Sequence, residues 1–310
     1  MCHARAVLIT IPTALARNVV KTWAEDGVRW LAGLPALLDE VARGWNLTLG
    51  RPYPLSFHWV TSATREDGSA AVLKLGVPAG HLSVEAEALQ IFGGHGAVRL
   101  IAHDPKRGAL LLEQADPGYP AAAFVPDHDE EATAALVGAG RRLHRIPPVG
   151  CTLPDLREQS ESFRAHLRRF PGDDPLPRHL VEHAGALFDE LCASAPDHVV
   201  LHGDLHHDNV LRADREPWLA IDPHGVVGDP GYDCGAMLYN PEPWRREDDL
   251  LALVPARIQQ LADGFRMPLD RVVAWGFVMG VLSEVWTAQG AGTPGSRALD
   301  VATMLYPRLS

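Results

Sequence analysis

The segment from residue 202 to residue 225 constrains the fold of this chain more than any other. It opens with HGDLHHDN at 202–209 and ends with IDPHG at 221–225. Between these motifs, the apolar runs 210–213 and 218–221 flank a polar turn that contains a proline. Two short apolar runs joined by such a turn predict a β-hairpin. The hairpin brings the polar residues at the outer ends of its two strands close together.

The open end of this hairpin has the composition of a magnesium site. If the turn is centred on the bond between positions 215 and 216, Asn209 and Asp222 become cross-strand neighbours, with Cβ atoms about 5 Å apart. Oxygen ligands that close can share one Mg²⁺, a hard cation that few protein groups hold together with substrate phosphates. Four residues separate Asp204 from Asn209, as in the catalytic loop of phosphotransferases. The segment therefore predicts a phosphoryl-transfer site.

The histidines of the same segment allow a second interpretation, a transition-metal site, because imidazoles bind Zn²⁺ and Fe²⁺. No HExxH or comparable helical spacing occurs in the sequence. We therefore expect His202 to be a packed, hydrogen-bonded histidine that positions the loop. His206 and His207 are expected to be partly structural and partly exposed. Asp233, in GDPGYD at 228–233, is expected to cap the helix that follows and to hydrogen-bond the catalytic loop.

Composition is that of a globular protein with a substantial core. The chain has 310 residues, of which 46% are hydrophobic, enough for one large or two medium domains. Its four cysteines are scattered without a CxxC pair, which argues against a disulfide scaffold and a structural zinc site and suits a reducing compartment. The N-terminal apolar run is short and is broken by Thr10 and Pro12, so we expect no signal peptide. No later stretch is expected to span a membrane, and a cytoplasmic location follows.

The net charge of −11 is unevenly distributed. Residues 1–124 hold 11 acidic and 11 basic residues, whereas residues 125–310 hold 28 acidic and 17 basic ones. An acidic second half disfavours nucleic acid as a partner, because phosphate binding requires a basic surface. It favours a cationic substrate, although acidic surfaces also serve solubility alone.

Apolar periodicity and turn residues divide the chain into two parts. Helices are predicted at 27–43 and 83–93, with strands at 47–51, 57–65, 70–76, 97–102 and 109–114. Further helices are predicted at 129–145, 156–170, 176–194, 247–265, 268–289 and 296–305. The fold class is therefore α+β, with a small β-rich lobe over 1–115, a larger helical lobe over 116–310, and a cleft at the join.

Lys74 lies within the apolar run 71–75 of the third predicted strand, in a chain with only three lysines beside 25 arginines. A lysine there either faces water from an edge strand or reaches nucleotide phosphates, as in kinases. In the second case a glutamate on the next helix holds it, and Glu85 and Glu87 are the candidates. These two point about 200° apart, so only one faces inward. We favour Glu85, because it lies beside the apolar stripe of that helix.

The loop expected to cover nucleotide phosphates, residues 51–56, contains no glycine. Its two prolines lack a backbone N–H, so Ser56 is a candidate donor in their place. Further along the chain, residues 111–115 are expected to form a hinge whose backbone pairs with adenine, with contacts at Glu113 and Ala115.

Taken together, these motifs resemble the aminoglycoside phosphotransferase superfamily, which is kinase-like in fold, and within it the streptomycin 6-kinase and hydroxyurea-resistance branch. They include WLAGLP at 30–35, VLKL at 72–75, GGHGAVRL at 93–100, LLLE at 110–113, VLHGDLHHDNVL at 200–211, EPWLAIDP at 216–223 and GDPGYD at 228–233. Their order and spacing hold from about residue 20 to residue 305. The glycine-free loop departs from the protein-kinase pattern.

The resemblance implies a bilobal protein-kinase-like fold with ATP and Mg²⁺ in the interlobe cleft. Lys74 would contact phosphates, Asn209 and Asp222 would hold the metal, and Asp204 would accept the proton of the acceptor hydroxyl and orient that hydroxyl. The implied acceptor is a small cationic, hydroxyl-bearing compound of the streptomycin type. Its candidate contacts are the carboxylates and flat rings of Glu242, Glu284, Trp244 and Trp286.

Two alternatives remain open at this point. One is a metabolic kinase for another sugar, amino alcohol or hydroxyurea-like compound. The other is a non-catalytic, nucleotide-binding pseudokinase, which the glycine-free loop favours and the intact Asp204, Asn209 and Asp222 oppose. A protein kinase is disfavoured, because no activation segment of suitable length separates Asp222 from residue 228.

Overall fold

The computed structural model describes residues 9–78, 81–245, 249–290 and 292–309, and the chain divides into two compact units. The first comprises residues up to Gly94 together with Val98–Gln114, and the second comprises His95–Ala97 and the chain from Ala115 onward. The boundary predicted between residues 115 and 116 lies one residue from the break after Gln114.

The first unit is built on a five-stranded antiparallel sheet. Its elements are helix α1 (Thr13–Gly44), strands β1 (Thr48–Pro52), β2 (Trp59–Thr64) and β3 (Ala70–Leu75), helix α2 (His81–Phe92), and strands β4 (Leu100–Asp104) and β5 (Ala109–Glu113). The strand order is β1-β2-β3-β5-β4, so β3 is the central strand of this sheet.

Helix α1 begins much earlier than the predicted helix at 27–43. Leu15 and Val19, four residues apart, are buried in the same hydrophobic cluster as Trp30, Leu34 and Trp59. The prediction missed this part because α1 is interrupted at Ala24, where φ is 47° and ψ is −121°, so its apolar pattern does not run through. The N-terminal apolar run starts at residue 6 and lies partly outside the described residues.

The second unit is mainly helical. Its helices are α3 (Asp129–Leu143), α4 (Ser160–Arg169), α5 (Arg178–Ala193), α6 (Tyr232–Tyr239), α7 (Val254–Phe265), α8 (Leu269–Gln289) and α9 (Arg297–Leu305). Short strands β6 (Pro117–Pro120), β7 (Val199–Leu201), β8 (Val210–Ala213), β9 (Trp218–Ala220) and β10 (Val226–Gly228) form two small sheets, β6-β8-β9 and β10-β7. The start of the helix predicted at 247–265 lies outside the described residues.

Helix α8 is the central helix of this unit and packs against α4, α5, α6, α7 and α9. We expected no stretch that could span a membrane, but α8 is long and apolar enough to do so. However, 78% of its most apolar 18-residue stretch is buried inside the protein. Trp275 on α8 is fully buried against Phe188 and Tyr232, as expected for a core residue.

The strand predicted at 97–102 instead begins at Leu100. Residues 95–97 belong to the second unit, where Ala97 forms a bridge with Ala220 and the Ala220 N–H donates to the Gly96 carbonyl at 2.8 Å. The apolar residues from 97 onward include one that pairs with β9 and others that form β4 of the first sheet. The sequence pattern does not distinguish these two kinds of pairing.

Candidate active site

The backbone of the loop between β7 and β8 is fixed by Asp233. This carboxylate is 1% exposed and accepts the N–H groups of His202 and Gly203 at 3.1 and 2.8 Å. The ring of His144 lies 3.0 Å from it. The predicted hydrogen bond to the loop is therefore confirmed. The predicted helix cap is wrong, because Asp233 lies within the first turn of α6 and Gly231 occupies the N-cap.

His202 joins this loop to the far strand of the hairpin. Its ring is fully buried, with Nε2 2.8 Å from the Ile221 carbonyl, while Nδ1 accepts the Asp204 N–H at 3.2 Å. A ring that donates from Nε2 and accepts at Nδ1 is neutral, and burial lowers its pKa accordingly. The expected packed, hydrogen-bonded histidine is confirmed.

Asp204 has a partly exposed carboxylate, 38% accessible, beside this buried framework. Burial alone would raise its pKa, but the charge of His206 and its hydrogen bond outweigh that effect and lower the pKa of Asp204. Asp204 is therefore ionised at neutral pH. Asn209 donates from Nδ2 to the Asp204 carbonyl at 3.0 Å, which holds the two residues at a fixed separation.

His206 has a larger role than expected. Its Nε2 lies 3.5 Å from Asp204 Oδ2 and its Nδ1 lies 3.5 Å from Asp208 Oδ2. Burial would lower its pKa, but the two carboxylates raise it and favour the protonated form of the ring. The sequence signal for this arrangement is the placement of an acid, a histidine and an acid at every second position, at Asp204, His206 and Asp208.

The hairpin is present, but its predicted register is wrong by one residue. Val210 pairs with Ala220, and the Ile221 N–H donates to the Asn209 carbonyl at 2.9 Å. Asn209 therefore faces Ile221 and not Asp222, because the turn is centred on Arg215 and not on the following bond. Asp222 is the next residue and has a φ of 60°. A left-handed non-glycine is uncommon and persists where the surrounding structure imposes it, often at functional sites.

The residues at this end of the hairpin fit a divalent metal. Asn209 directs its Nδ2 toward the Asp204 carbonyl and the His206 ring, which leaves Oδ1 as the group that can accept a cation. Asp222 supplies a carboxylate at the same end. Two oxygen donors completed by phosphate oxygens and water are the ligand set that Mg²⁺ takes in phosphotransferases.

In the first unit, Lys74 forms an ion pair with Glu85 at 2.6 Å, and the two side chains are only 5% and 4% exposed. The expected pairing is confirmed, and the edge-strand alternative is wrong because β3 is central in the sheet. Glu87 is half-buried. Taking two charges out of water is costly unless they are paired, so each residue requires the other.

Three further nucleotide candidates lie in loops and strand ends. The Glu113 N–H and carboxylate are both bonded to the backbone of Arg99, each at 2.9 Å. Within the described residues, the backbone of Ala115 forms no hydrogen bond. The Ser56 carbonyl accepts a hydrogen bond from Asn18 at 3.1 Å.

The four substrate candidates fall into different environments. Glu284 is 1% exposed, and its carboxylate accepts the N–H groups of Gly295 and Ser296 before α9. It serves to anchor the start of α9, so its assignment to the substrate is wrong. Trp286 is partly exposed and donates to Ser162, whereas Trp244 is 71% exposed.

Glu242 lies at a cavity of about 290 Å³ within the second unit. The lining of this cavity also includes Asp208, at the end of the catalytic loop, which the sequence did not assign to the substrate. The cavity is otherwise lined by Pro120, Ala122, Ala123, Val125, Pro126, Pro241, Arg245, Leu250 and Arg297. It thus combines two carboxylates, two guanidinium groups and an apolar wall.

Two buried arginines hold the segment that carries Glu242. Arg257 donates to the carbonyls of Met237 and Asn240 at 2.9 and 2.7 Å and pairs with Asp129 at 2.6 Å. Arg297 donates to the carbonyls at positions 239, 241 and 245. Glu242 itself has a φ of 44°. Its position is therefore imposed by the surrounding structure.

Comparison with known proteins agrees with this geometry. Residues 56–291 match the family described as aminoglycoside/hydroxyurea antibiotic resistance kinase. The chain is 34% identical over 310 residues to a streptomycin 6-kinase of Streptomyces glaucescens, across 96% of this chain and 95% of that protein. It is 33% identical over 240 residues to a hydroxyurea phosphotransferase of Kitasatospora aureofaciens, across 75% of this chain and 69% of that protein.

Among solved structures, aminoglycoside phosphotransferase APH(3'')-Id from Streptomyces rimosus, in complex with ADP and streptomycin, has a TM-score of 0.56 and 20% identity. The match covers 81% of this chain and 97% of that chain. The likeness confirms the predicted protein-kinase-like α+β fold. With a family match over most of its length, the chain belongs to the aminoglycoside/hydroxyurea antibiotic resistance kinases and is a phosphotransferase.

Proposed function

We propose that this kinase transfers the γ-phosphoryl group of ATP to a hydroxyl of streptomycin or a related aminoglycoside. The observation that carries the proposal is the loop at 202–209, where buried contacts to His202 and Asp233 present a partly exposed, ionised Asp204 beside Asn209. The similarity to streptomycin 6-kinases supports the choice of acceptor.

Asp204 acts on the acceptor hydroxyl. Its carboxylate accepts the hydroxyl hydrogen and aims the oxygen lone pair at the γ-phosphorus. Because the pKa of Asp204 is lowered, it is a weak base, so orientation precedes proton transfer. The proton moves to Asp204 once the new P–O bond has made the hydroxyl strongly acidic. Until then, His206 favours the ionised form of Asp204 by lowering its pKa.

Asn209 Oδ1 and the Asp222 carboxylate would hold Mg²⁺, which when bound neutralises charge on the phosphates. Lys74, positioned by Glu85, supplies a compact positive charge for the phosphates of ATP. Ser56 adds a hydroxyl donor. In the hinge, Ala115 is a better adenine contact than Glu113, because the Glu113 N–H is already bonded to Arg99.

The acceptor binds in the cavity that contains Asp208 and Glu242. Guanidinium groups form paired, charge-assisted hydrogen bonds with carboxylates, and the proline and alanine side chains offer a flat face to a sugar or cyclitol ring. Glu242 already pairs with a guanidinium, that of Arg245, at 2.8 Å. Trp244, largely exposed on the same segment, is a further ring contact.

A hydroxyurea-like acceptor is the second candidate, given the hydroxyurea phosphotransferase among the relatives. The cavity favours the larger substrate, since a compound as small as hydroxyurea would leave most of about 290 Å³ unfilled.

The buried or partly buried free thiols of Cys151, Cys192 and Cys234 support a location in the cytoplasm.

Mass spectrometry of candidate acceptors incubated with the protein, ATP and Mg²⁺ tests this proposal. Streptomycin is expected to gain the mass of one phosphate, and hydroxyurea is expected to remain unchanged under the same conditions. If streptomycin and a panel of other aminoglycosides all stay unmodified by protein that binds ATP, the proposed substrate class is wrong.

A further inference from the structure

The loop between β1 and β2, residues 53–58, has little support of its own. One backbone bond closes its base, from the Tyr53 N–H to the Val60 carbonyl at 2.9 Å. Among the described residues, the N–H groups of Leu55, Ser56 and Phe57 donate to no partner. Three consecutive free donors are available to contact an anion such as a phosphate group.

The support comes from the first part of α1, residues 13–23, which we call the strap. Asn18 on the strap donates from Nδ2 to the Ser56 carbonyl at 3.1 Å. The Trp23 ring lies 6.2 Å from the His58 ring. Leu55 packs against the cluster that contains the buried strap residues Leu15 and Val19. The middle and the end of the loop are thus both held by the strap.

Two glycines allow this arrangement. A Cβ at Gly27 would lie 2.6 Å from the Val19 carbonyl oxygen, so the strap approaches the rest of α1 more closely than any side chain permits. A Cβ at Gly76 would lie 2.6 Å from the His58 ring. The interruption of α1 at Ala24 redirects the strap, and the remainder of α1 is anchored in the core through residues such as Trp30 and Leu34.

We propose that the strap holds residues 53–58 in the conformation that binds nucleotide phosphates, with Asn18 and Trp23 as positioning residues; this rests on the proposed ATP-dependent function. An unsupported loop loses backbone entropy when it orders around a phosphate, and that loss weakens binding. Contacts formed before the nucleotide arrives remove this loss. The strap therefore takes the place of a glycine-rich phosphate loop.

The test is steady-state kinetics of the full-length protein with Asn18→Ala and Trp23→Ala. Each variant is expected to raise the KM for ATP about threefold to tenfold, the effect of one hydrogen bond or aromatic contact. The KM for the acceptor and kcat stay unchanged. Trp23→Phe, which keeps a ring against His58, is expected to recover most of the ATP affinity.

Arg17→Ala is the matched control, because Arg17 is exposed, precedes Asn18 and forms no hydrogen bond or ion pair within the described residues. Asn18 is itself only half-buried, so loss of folding does not obscure its result. An unchanged KM for ATP in an active Asn18→Ala enzyme, or an equal change in both KM values, overturns the role of the strap. Failure of the unmutated protein to bind ATP overturns the proposed function as well.

Discussion

The two loops that carry the proposed chemistry are held in opposite ways. The catalytic loop at 202–209 is fixed by groups buried beside it, including the His202 ring and the Asp233 carboxylate. The loop at 53–58 lies largely exposed and is held by the remote strap through Asn18 and Trp23. Loss of a catalytic-loop contact leaves a buried polar group unpaired, which is costly, whereas loss of a strap contact does not.

This contrast predicts which property of the enzyme changes when each loop is altered. The catalytic loop cannot move without leaving buried donors unpaired, so we expect its geometry to be the same with and without substrate. The loop at 53–58 can adjust at little cost, so it tunes nucleotide affinity without altering the chemical step. Substitutions in the two regions should therefore separate kcat, stability and KM.

The largest effect is expected from Asp204→Asn. The amide cannot accept the acceptor proton, and loss of a general base costs about 10²–10⁴-fold in kcat. Asp214→Asn serves as control, because Asp214 is exposed and its carboxylate has no hydrogen bond or ion pair within the described residues. Initial rates of ATP consumption with the acceptor present provide the measurement. Less than a tenfold loss in Asp204→Asn contradicts its role as the base.

Asp233→Asn tests whether buried contacts fix the catalytic loop. The new amide presents a donor where Asp233 accepts the N–H groups of His202 and Gly203, so we expect the free energy of unfolding to fall by about 2 kcal/mol. Urea denaturation monitored by tryptophan fluorescence measures this change. A loss below about 0.5 kcal/mol, the usual range for surface substitutions, shows that the loop is held elsewhere.

Glu242→Gln and Glu284→Gln separate a substrate contact from a structural one. Glu284→Gln weakens the bonds to the residues before α9, so it should lower stability by about 1 kcal/mol and leave the acceptor KM unchanged. Glu242→Gln should raise the acceptor KM by about tenfold, from loss of one charge-assisted contact, with stability retained. The opposite pattern in the two variants would reverse the assignments.

The smallest effect is the pH dependence of stability. Burial lowers the pKa of His202 and His166, so the folded protein keeps both rings neutral. The unfolded chain binds protons below the ordinary pKa of about 6.5. Stability from these groups is therefore complete above about pH 6.5 and is lost as the pH falls toward their folded pKa values. His206, with a raised pKa, contributes in the opposite direction and loses its stabilisation as the pH rises.

His166→Phe isolates one of these groups without touching the catalytic loop. It should reduce the slope of unfolding free energy against pH below 6.5 by up to about 1.4 kcal/mol per pH unit. His198→Phe, at an exposed position, is the control. Denaturation curves between pH 5 and pH 8 measure the slopes, and equal slopes in His166→Phe and the unmutated protein argue against a buried neutral ring.

The same contrast explains what the sequence could predict. His202, Asp204, Asn209 and Asp233 act within one short region, and their residue types state their chemistry directly. The kinase arrangement predicted that a glutamate on the next helix holds Lys74, and helix periodicity favoured Glu85. The register of the hairpin was missed by one residue, because turn position depends on backbone geometry that Arg215 and Glu216 do not encode individually.

Features that depend on distant contacts were not predictable. Nothing near Glu284 in the sequence indicates that it is buried and bonded to residues 295 and 296, while Glu242 borders a cavity. Asp208 was considered only for a transition-metal site, because its place in the lining of that cavity depends on residues distant in the sequence. The contact of the strap with the loop at 53–58 was not predictable for the same reason, since Asn18 and Ser56 are 38 positions apart.

The central claim is that Asp204 serves the chemical step while Asp222 serves the metal–nucleotide complex. Calorimetric titration of ATP into the Asp204→Asn and Asp222→Asn proteins, with and without Mg²⁺, tests it most directly. We expect Asp204→Asn to bind Mg²⁺–ATP like the unmutated protein, and Asp222→Asn to bind it at least about tenfold more weakly, with a reduced dependence on Mg²⁺. Loss of ATP binding in Asp204→Asn, or an unchanged Mg²⁺ dependence in Asp222→Asn, would contradict the account.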